Sequence, residues 1–375
     1  MKTIPFNKPY LTGHEFEHIR DAHKQGQLAG DGSFTKLCHA WLEENTGCRK
    51  ALLTHSCTAA LEMSAMLIDI NPGDEIIMPS YTFVSTANAF ALRGAIPVFA
   101  DIRPDTLNID ENLIESLITP RTKAIVPVHY AGVSCEMDEI LEIAKKNGLF
   151  VIEDSAQGIC SSFKGTALGT MGQIGCLSFH ETKNIHSGEG GAILINDSSL
   201  IERAEIIREK GTDRSRFFRG QVDKYTWIDL GSSYLPGELI AAFLYAQLEE
   251  SYEITERRLK SWGKYHKAFK ELERCGKLMR PVVPSYANSN GHIYYIILDE
   301  TINRDALIEK LKLKGIDTVF HYQPLHLSPT GKKLGQTKGN LPVTEDISRR
   351  ILRLPLWIGM DEQQRVMEGI AEVIM

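Results

Sequence analysis

The stretch that decides the fold is AIVPVHYAGVSCEMDEILEIAKKNGLFVIEDSAQ, residues 124–157. It begins with an apolar run at 124–127 and contains a second run at 150–152, and we interpret both as buried β-strands. Between them lies a helix that Asn147 and Gly148 end, with four apolar side chains on one face: Met137, Ile140, Leu141 and Ala144. A strand, a helix and a second strand in this order predict a parallel pair with a crossover helix.

The same alternation extends along residues 50–196. Further strands are predicted at 51–53, 75–78 and 96–99, and a helix at 58–67. This pattern predicts an α/β fold with a mostly parallel sheet that is covered by helices on both faces.

The pattern changes after residue 191. We predict a strand at 192–195, a helix at 200–210, an exposed polar loop at 208–224 and a long helical region at 238–272. The remaining chain indicates a small α+β unit, with strands at 292–298 and 316–320, a helix at 304–314 and helical pieces at 347–353 and 362–373. We therefore predict a large domain of residues 1–250 and a small C-terminal domain of residues 251–375.

Composition excludes several classes of protein. The 375 residues carry a formal charge of −6 without a basic domain, which argues against a nucleic-acid-binding protein. No run approaches the ~18 apolar residues of a membrane span, and the first residues lack the apolar core of a signal peptide. The seven cysteines are odd in number and form no CxxC pair, so we expect a reducing, cytoplasmic environment and no metal site.

Ligands of open α/β sheets collect at the carboxyl ends of the strands. After the first strand, Ser56, Cys57 and Thr58 open a helix, where free amides and hydroxyls form an anion site; ordinary N-capping is the alternative. Phe83, just past the second strand, either stacks on a planar ligand or fills the core.

Two charged residues follow later strands. Asp154 ends an apolar run, where a buried carboxylate needs a partner such as a metal, a ribose hydroxyl or a protonated heterocyclic nitrogen; helix capping is the alternative. Lys183 lies between an apolar strand and the glycine cluster 188–191, and desolvation there would lower its pKa and suit it to Schiff-base formation. The alternative is an ordinary surface lysine. An anion site, an aromatic ring, an acid and a lysine together match the requirements of pyridoxal phosphate.

Several motifs resemble one family over essentially the whole chain, the DegT-type sugar aminotransferases. They are SCTA (56–59), VHYAG (128–132), FHETKN (179–184), FRGQVDKYTW (218–227) and VFHY (319–322). The resemblance implies the fold type I architecture of pyridoxal-phosphate-dependent transferases. It also implies a homodimer with shared active sites, in which segment 231–234 crosses to the neighbouring subunit.

The resemblance also implies roles for individual residues. Lys183 would hold the cofactor and Asp154 would pair with its pyridine nitrogen. The ring and phosphate contacts would come from Phe83, Gln157, Cys57, Thr58, Ser178 and, across the interface, Ser233. Many relatives have Gly in place of Cys57 and Asn in place of Ser233. Relatives that dehydrate sugars replace the lysine with histidine, so Lys183 favours transamination.

The substrates implied by the resemblance are L-glutamate as amino donor and dTDP-4-keto-6-deoxy-D-glucose, aminated at C4 for surface polysaccharide synthesis. We expect substrate contacts from His180, Arg208, Arg219, His321 and Tyr322, since the sugar carries a diphosphate. A 3-keto or other nucleotide-linked keto sugar is an alternative acceptor. A nicotinamide-dependent oxidoreductase would have a GxGxxG turn after the first strand, and a cofactor-binding sensor would have an added DNA-binding module; the chain has neither.

Overall fold

The computed structural model describes residues 3–374. Its helices are α1 (Glu15–Gln25), α2 (Ser33–Thr46), α3 (Cys57–Leu67), α4 (Val84–Ala91), α5 (Glu111–Leu117), α6 (Met137–Asn147), α7 (Ile201–Arg208), α8 (Arg214–Phe218), α9 (Glu238–Glu249), α10 (Ser251–Ala268), α11 (Lys270–Arg274), α12 (Arg304–Leu313), α13 (Pro329–Leu334), α14 (Pro342–Arg350) and α15 (Gln363–Ile374). Its strands are β1 (Lys50–Thr54), β2 (Glu75–Pro79), β3 (Ile96–Ala100), β4 (Thr122–Ile125), β5 (Phe150–Asp154), β6 (Ser162–Phe163), β7 (Thr166–Ala167), β8 (Ile174–Ser178), β9 (Gly191–Ile195), β10 (Leu278–Met279), β11 (Ala287–Asn288), β12 (Tyr294–Leu298), β13 (Gln336–Thr337) and β14 (Ile351–Leu354).

An eight-stranded sheet forms the centre of the molecule, in the order β1-β9-β8-β5-β4-β2-β3-β13. All neighbours from β8 to β13 are parallel, and β9 alone runs antiparallel to both of its neighbours, β1 and β8. The predicted α/β fold with a mostly parallel sheet is therefore confirmed.

Helices cover both faces of this sheet. Successive residues of β2 demonstrate it, because Ile76 packs in one apolar core with Leu61 and Phe90, whereas Ile77 packs in another with Met137 and Ile140. Side chains alternate between faces along a strand, so a fully apolar strand needs an apolar layer on each side. The strands of this sheet therefore form continuous apolar runs in the sequence, because both of their faces are buried.

A second unit is built around the antiparallel sheet β10-β12-β14, against which α12 and α15 pack. The predicted boundary at residue 250 coincides with the break between α9 and α10. Several paired or packed segments cross that division: among others, Ile4 packs in the core of the small unit, Ala287–Asn288 pairs with β6, and Gln336–Thr337 pairs with β3 of the large sheet. The division into 1–250 and 251–375 stays a prediction.

Local predictions fail mainly in the C-terminal part. The strand predicted at 316–320 consists only of two isolated bridges, and the helical piece predicted at 347–353 ends at Arg350, followed by strand β14. The long helix at 238–272 is three helices, and the loop at 208–224 contains the short helix α8. Because β14 forms by pairing with distant β12, local periodicity does not reveal it.

Two further observations concern the chain from residue 3 to 374. No helix there combines the length and apolar character that crossing a membrane requires. All seven cysteines are free thiols, and six of them are at least partly buried.

Candidate active site

A cavity of about 600 Å³ opens at the carboxyl ends of the large-sheet strands and reaches the small unit. It brings together eleven of the residues predicted from the sequence: Ser56, Cys57, Thr58, Phe83, Asp154, Gln157, Ser178, His180, Lys183, His321 and Tyr322. The position is the one expected for ligands of open α/β sheets.

Lys183 lies in the loop that connects β8 to β9. The loop is fixed from two sides, since the Phe179 amide donates to the Gly190 carbonyl (2.8 Å) and the Asn184 side chain bonds to His292 (3.0 Å). Lys183 itself is half-buried. Desolvation lowers its pKa to about 8, and the positive charge of Arg353 acts in the same direction, against the opposing influence of Cys57 and Asp154. A substantial fraction of the amine is therefore neutral near pH 8 and able to act as a nucleophile.

Asp154 is the last residue of β5 and is 5% exposed. One carboxylate oxygen accepts a hydrogen bond from the Thr86 hydroxyl (2.7 Å), and the other accepts from the Ala156 amide (3.2 Å). Burial raises the pKa of this carboxyl, and within residues 3–374 it forms no ion pair. A buried carboxylate in this setting is stabilised by a cationic ligand.

Helix α3 begins at the edge of the cavity. The Ser56 hydroxyl caps it by accepting from the Ala59 amide (3.1 Å), and Thr58 donates to Ser85 (2.7 Å). The amides of the first helical turn have no acceptor inside the helix, so they are available to an anion. Gly191 makes this start possible, because a Cβ there would lie 2.3 Å from the Ser56 carbonyl carbon.

An aromatic and polar wall completes this side of the cavity. The Phe83 side chain is 57% exposed, and its ring lies 6.3 Å from that of Tyr322. Gln157 accepts from the Ala131 amide (2.7 Å) and donates to the Tyr322 hydroxyl (3.1 Å). Gln157 is thus held by both its oxygen and its nitrogen, while the face of Phe83 remains open to a planar ligand.

His321 lies between the cavity and a buried group of tyrosines. Its Nδ1 bonds to the Tyr130 hydroxyl (2.9 Å), and its carbonyl accepts from the Tyr81 hydroxyl. Burial lowers the pKa of His321 well below its usual range, and the charges of Arg353 and Lys183 act in the same direction. The imidazole is therefore neutral and serves as a hydrogen-bonding group.

Three predicted residues lie outside the cavity of their own chain. Arg208 is buried beside β1, where its guanidinium donates to the Leu53 carbonyl (2.7 Å) and pairs with Asp31 (2.8 Å). Arg219 pairs with Glu205 (2.7 Å) on a separate surface groove. Ser233 is exposed and does not line the cavity. Proximity to the polar loop therefore does not bring Arg208 or Arg219 to the cavity of their own chain, and their contact with substrate stays a prediction.

Sequence reasoning missed further residues that line the cavity, among them the aromatic and basic side chains Phe6, Arg258, His292 and Arg353. Arg353 lies in strand β14, and His292 lies just before strand β12. Phe6 belongs to the N-terminal segment. The prediction of a helix at 347–353 concealed Arg353, whose position on a strand directs it to the cavity. The FHETKN and VFHY motifs pointed to the correct neighbourhood but not to these side chains.

The residues present fit pyridoxal phosphate in each of its parts. The start of α3 suits a phosphate dianion, and the open face of Phe83 suits an aromatic ring. Among the described residues Asp154 has no ionic partner, so it matches a protonated pyridine nitrogen, while the lowered pKa of Lys183 suits reaction with an aldehyde.

Comparisons with known proteins agree with this chemistry. The chain is 32% identical to GDP-perosamine synthase of Caulobacter vibrioides over 374 residues, covering 98% of this chain and 97% of the relative. Among solved structures, it resembles Helicobacter pylori PseC, an aminotransferase involved in the biosynthesis of pseudoaminic acid, at a TM-score of 0.92 and 27% identity over 100% and 99% of the two chains. It also resembles Bacillus subtilis NtdA with bound cofactor PMP, at a TM-score of 0.89 and 29% identity over 100% and 86%.

The family model described as the DegT/DnrJ/EryC1/StrS aminotransferase family matches residues 9–371. That match spans both structural units and all of the cavity lining except Phe6 and Asn7, and the resemblance to solved structures extends over the full chain. Pyridoxal phosphate is the cofactor, and the fold is that of the pyridoxal-phosphate-dependent aminotransferases. The chain belongs to the DegT/DnrJ/EryC1/StrS aminotransferase family and is a sugar aminotransferase.

Proposed function

We propose that this sugar aminotransferase moves the amino group of L-glutamate to C4 of dTDP-4-keto-6-deoxy-D-glucose. The product would be dTDP-4-amino-4,6-dideoxy-D-galactose, for a surface polysaccharide of the enterobacterial common antigen type. The observation that carries the chemistry is the presence of Lys183, with a pKa lowered to about 8, in the same cavity as the buried Asp154, which forms no ion pair within residues 3–374.

In this proposal the large-sheet side of the cavity holds the cofactor. The amides at the start of α3, with the hydroxyls of Ser56, Thr58 and Ser178, bind its phosphate. Phe83 stacks on the ring, and Gln157 bonds to the phenolic oxygen through its remaining N–H. Asp154 keeps the pyridine nitrogen protonated. When bound, pyridoxal phosphate supplies an electron sink and carries the amino group between the two substrates.

Lys183 performs the proton transfers in both half-reactions. Its Nζ would take the proton from Cα of the amino donor and give a proton back later in the same half-reaction, so this one group would serve first as base and then as acid. With the keto sugar the same atom moves a proton in the reverse direction. A lysine with a pKa of about 8 suits both roles, because it is neither fully protonated nor strongly basic near neutral pH.

The choice of sugar rests on the sequence motifs. The stretches 179–184 and 218–227 favour a dTDP-linked 4-keto-6-deoxy sugar as the acceptor. The similarity to a GDP-perosamine synthase and to an aminotransferase of pseudoaminic acid biosynthesis supports a nucleotide-linked sugar and includes other nucleotides among the candidates. A 3-keto or other nucleotide-linked keto sugar is therefore the second candidate.

A substrate panel tests the proposal. Purified holoenzyme with L-glutamate would be assayed against dTDP-4-keto, dTDP-3-keto and GDP-4-keto deoxysugars, with Lys183→Ala as the inactive control. We expect amination of the dTDP-4-keto sugar with the highest kcat/KM. Preference for the 3-keto or the GDP-linked sugar would overturn the substrate assignment, and full activity of Lys183→Ala would overturn the mechanism.

We also propose a homodimer in which segment 231–234 completes the active site of the neighbouring subunit. The segment and its surroundings expose large apolar side chains: Phe218, Trp227, Ile228 and Leu230. A clustered apolar surface of this kind is typical of an interface. Ser232 and Ser233 are exposed within it.

A cytoplasmic location is in keeping with the unpaired state of all seven cysteines.

A further inference from the structure

Asn184, the residue that follows Lys183, is buried and has both polar atoms of its side chain engaged. It is 4% exposed. Its amide nitrogen donates to the Asn290 carbonyl (3.0 Å), and its amide oxygen lies 3.0 Å from Nδ1 of His292. Both partners belong to the segment just before strand β12. A side chain next to the reacting lysine is therefore fastened to the part of the chain that leads into the small unit.

The direction of these two hydrogen bonds follows from the chemistry of the groups. A backbone carbonyl can only accept, so the Asn184 nitrogen must face Asn290 and the Asn184 oxygen must face His292. His292 therefore carries a proton on Nδ1 and donates it. Burial lowers the pKa of His292 well below its usual range, and the positive charge of Lys183 acts in the same direction. The ring is neutral, and the N–H that it has is the one bonded to Asn184.

The side chain of Asn290 carries the connection onward to the end of strand β5. Its nitrogen donates to the carbonyls of Gln157 and Ile159, both at 2.8 Å. Its oxygen accepts from the backbone amide of His292 (2.9 Å). The two carbonyls lie in the loop that follows Asp154, the last residue of β5. Asn290 thus bonds to the loop that begins at the buried acid of the cavity.

Asn184, Asn290 and His292 form one connection, which we call the amide bridge, and it is rigid. The buried guanidinium of Arg258 donates to the His292 carbonyl (2.6 Å) and holds the backbone there. Gly132 leaves just enough room for Asn290, since a Cβ on Gly132 would lie 2.1 Å from the Asn290 side-chain oxygen. Buried polar networks whose members are all satisfied restrict the side chains to one arrangement.

The amide bridge joins the two reactive groups of the cavity. Lys183 precedes one end of the bridge, and Asp154 precedes the loop that holds the other end. In the proposed function both groups act on one cofactor molecule, so the place of the amine relative to the acid must match the dimensions of that molecule. Misplacement of a reacting group by about 1 Å can cost on the order of 100-fold in rate.

We propose that Asn184 is a positioning residue that, through the amide bridge, holds Lys183 at a fixed place relative to Asp154. The inference rests on the proposed function, because it concerns the proton transfers assigned to Lys183. Asn184 and His292 act through the lysine loop and not by contact with the substrate. The segment before β12 thereby takes part in the chemistry of the large-sheet side of the cavity.

Two substitutions at His292 isolate one hydrogen bond of the bridge. His292→Asn and His292→Leu introduce side chains of nearly the same size and shape, of which only the first can donate an N–H to Asn184. In single turnovers of holoenzyme with saturating L-glutamate, we expect His292→Leu to react on the order of 10- to 100-fold more slowly than wild type. His292→Asn should stay within about threefold of the wild-type rate. Asn184→Ala, which removes the other partner, should be as slow as His292→Leu.

The affinity for glutamate separates positioning from substrate binding. Kd comes from the dependence of the single-turnover rate on glutamate concentration. It should stay within about threefold of wild type in all three variants, because the bridge acts on the transfer step alone.

A further readout does not depend on turnover. The pH dependence of cofactor uptake by cofactor-free enzyme reports the pKa of Lys183. A loop that is no longer held lets water reach the amine, so in Asn184→Ala and His292→Leu the profile should move to higher pH, toward the usual 10.5, while His292→Asn keeps a pKa of about 8. Asn288→Ala is the control, since that exposed side chain bonds to Ser162 away from the bridge, and it should match wild type in every measurement.

The outcomes distinguish this inference from the function on which it rests. If wild-type holoenzyme does not react with L-glutamate, the proposed function fails, and the pH profile of cofactor uptake still tests the bridge. If wild-type enzyme reacts and both Asn184→Ala and His292→Leu keep its rate, the inference alone is overturned. It is also overturned if His292→Asn is as slow as His292→Leu, or if the loss lies in Kd and not in the rate.

Discussion

Lys183 differs from a surface lysine in a way that follows from its position between β8 and the glycine-rich turn. Desolvation favours the neutral amine, while Asp154 and Cys57 oppose that effect, and the result is a pKa of about 8 in place of the usual 10.5. The sequence motif indicates which lysine to consider, but the pKa depends on the packing around it.

This pKa predicts the pH dependence of cofactor uptake. Only the neutral amine attacks an aldehyde, so the rate at which cofactor-free enzyme binds pyridoxal phosphate should rise with pH up to about 8 and then level off. Stopped-flow absorbance across the pH range would measure it. A rate that continues to climb to the pKa of an ordinary lysine would contradict the assignment.

Asp154→Asn should lower the rate of the glutamate half-reaction on the order of 100-fold or more, because a neutral amide does not hold the pyridine nitrogen protonated. Thr86→Val is the matched control. It removes one hydrogen bond from Asp154 and leaves its charge, so the expected loss is about fivefold. Single-turnover kinetics would measure the rate of the glutamate half-reaction in both variants. Equal losses of rate in the two variants would count against a role for the charge of Asp154.

At the scale of elements, the start of helix α3 depends on its close approach to strand β9. A Cβ on Gly191 would lie 2.3 Å from the Ser56 carbonyl carbon and 2.5 Å from the Cys57 nitrogen. Gly191→Ala must therefore shift the helix start. We expect cofactor affinity to fall on the order of 10- to 100-fold and stability to fall by about 1–3 kcal/mol.

A second glycine supplies the control for that experiment. Gly263 lies within α10, and a Cβ there would meet nothing within 4 Å. Gly263→Ala should leave cofactor affinity unchanged and raise stability by up to about 1 kcal/mol. Equilibrium cofactor titration and thermal unfolding would measure both variants. Unchanged cofactor affinity in Gly191→Ala would show that cofactor binding at the start of α3 does not depend on the close approach of α3 to β9.

Elements differ in how far the sequence predicts them. The run 124–157 predicts β5 and α6 because the turn at Asn147 and Gly148 and the helix periodicity are local features. Strand β14 is not predicted, because its residues continue from a helix and are fixed as a strand only by β12, more than 50 positions earlier. The error extended to the site: Arg353 was placed in a helix and its part in the cavity was missed.

Over the whole molecule, the net charge of −6 gives no indication of the cavity. The cavity combines Lys183, Arg258 and Arg353 with the buried acid Asp154, so it is locally suited to anionic ligands although the chain is acidic. The motif residues on the large-sheet side line one cavity, and their individual roles stay a prediction. The contribution of Phe6 and of the small unit arises from long-range packing, which the sequence does not display.

The proposed dimer with shared sites can be tested by mixing two inactive variants. Lys183→Ala removes the reacting amine, and Ser233→Trp blocks the segment proposed to cross the interface. Random mixed dimers would contain one intact site, so an equal mixture refolded or expressed together should recover about one quarter of wild-type activity. A mixture no more active than either variant alone, or a fully active Ser233→Trp, would contradict the shared site.

The point at which the cofactor attaches tests the role of Lys183 most directly. Holoenzyme would be treated with borohydride, which reduces a bond between the cofactor and a lysine amine and makes it permanent, and then digested for peptide mapping by mass spectrometry. We expect a single labelled peptide, with the added mass on Lys183. Label on another lysine, or no label on an enzyme that contains the cofactor and is active, would contradict it.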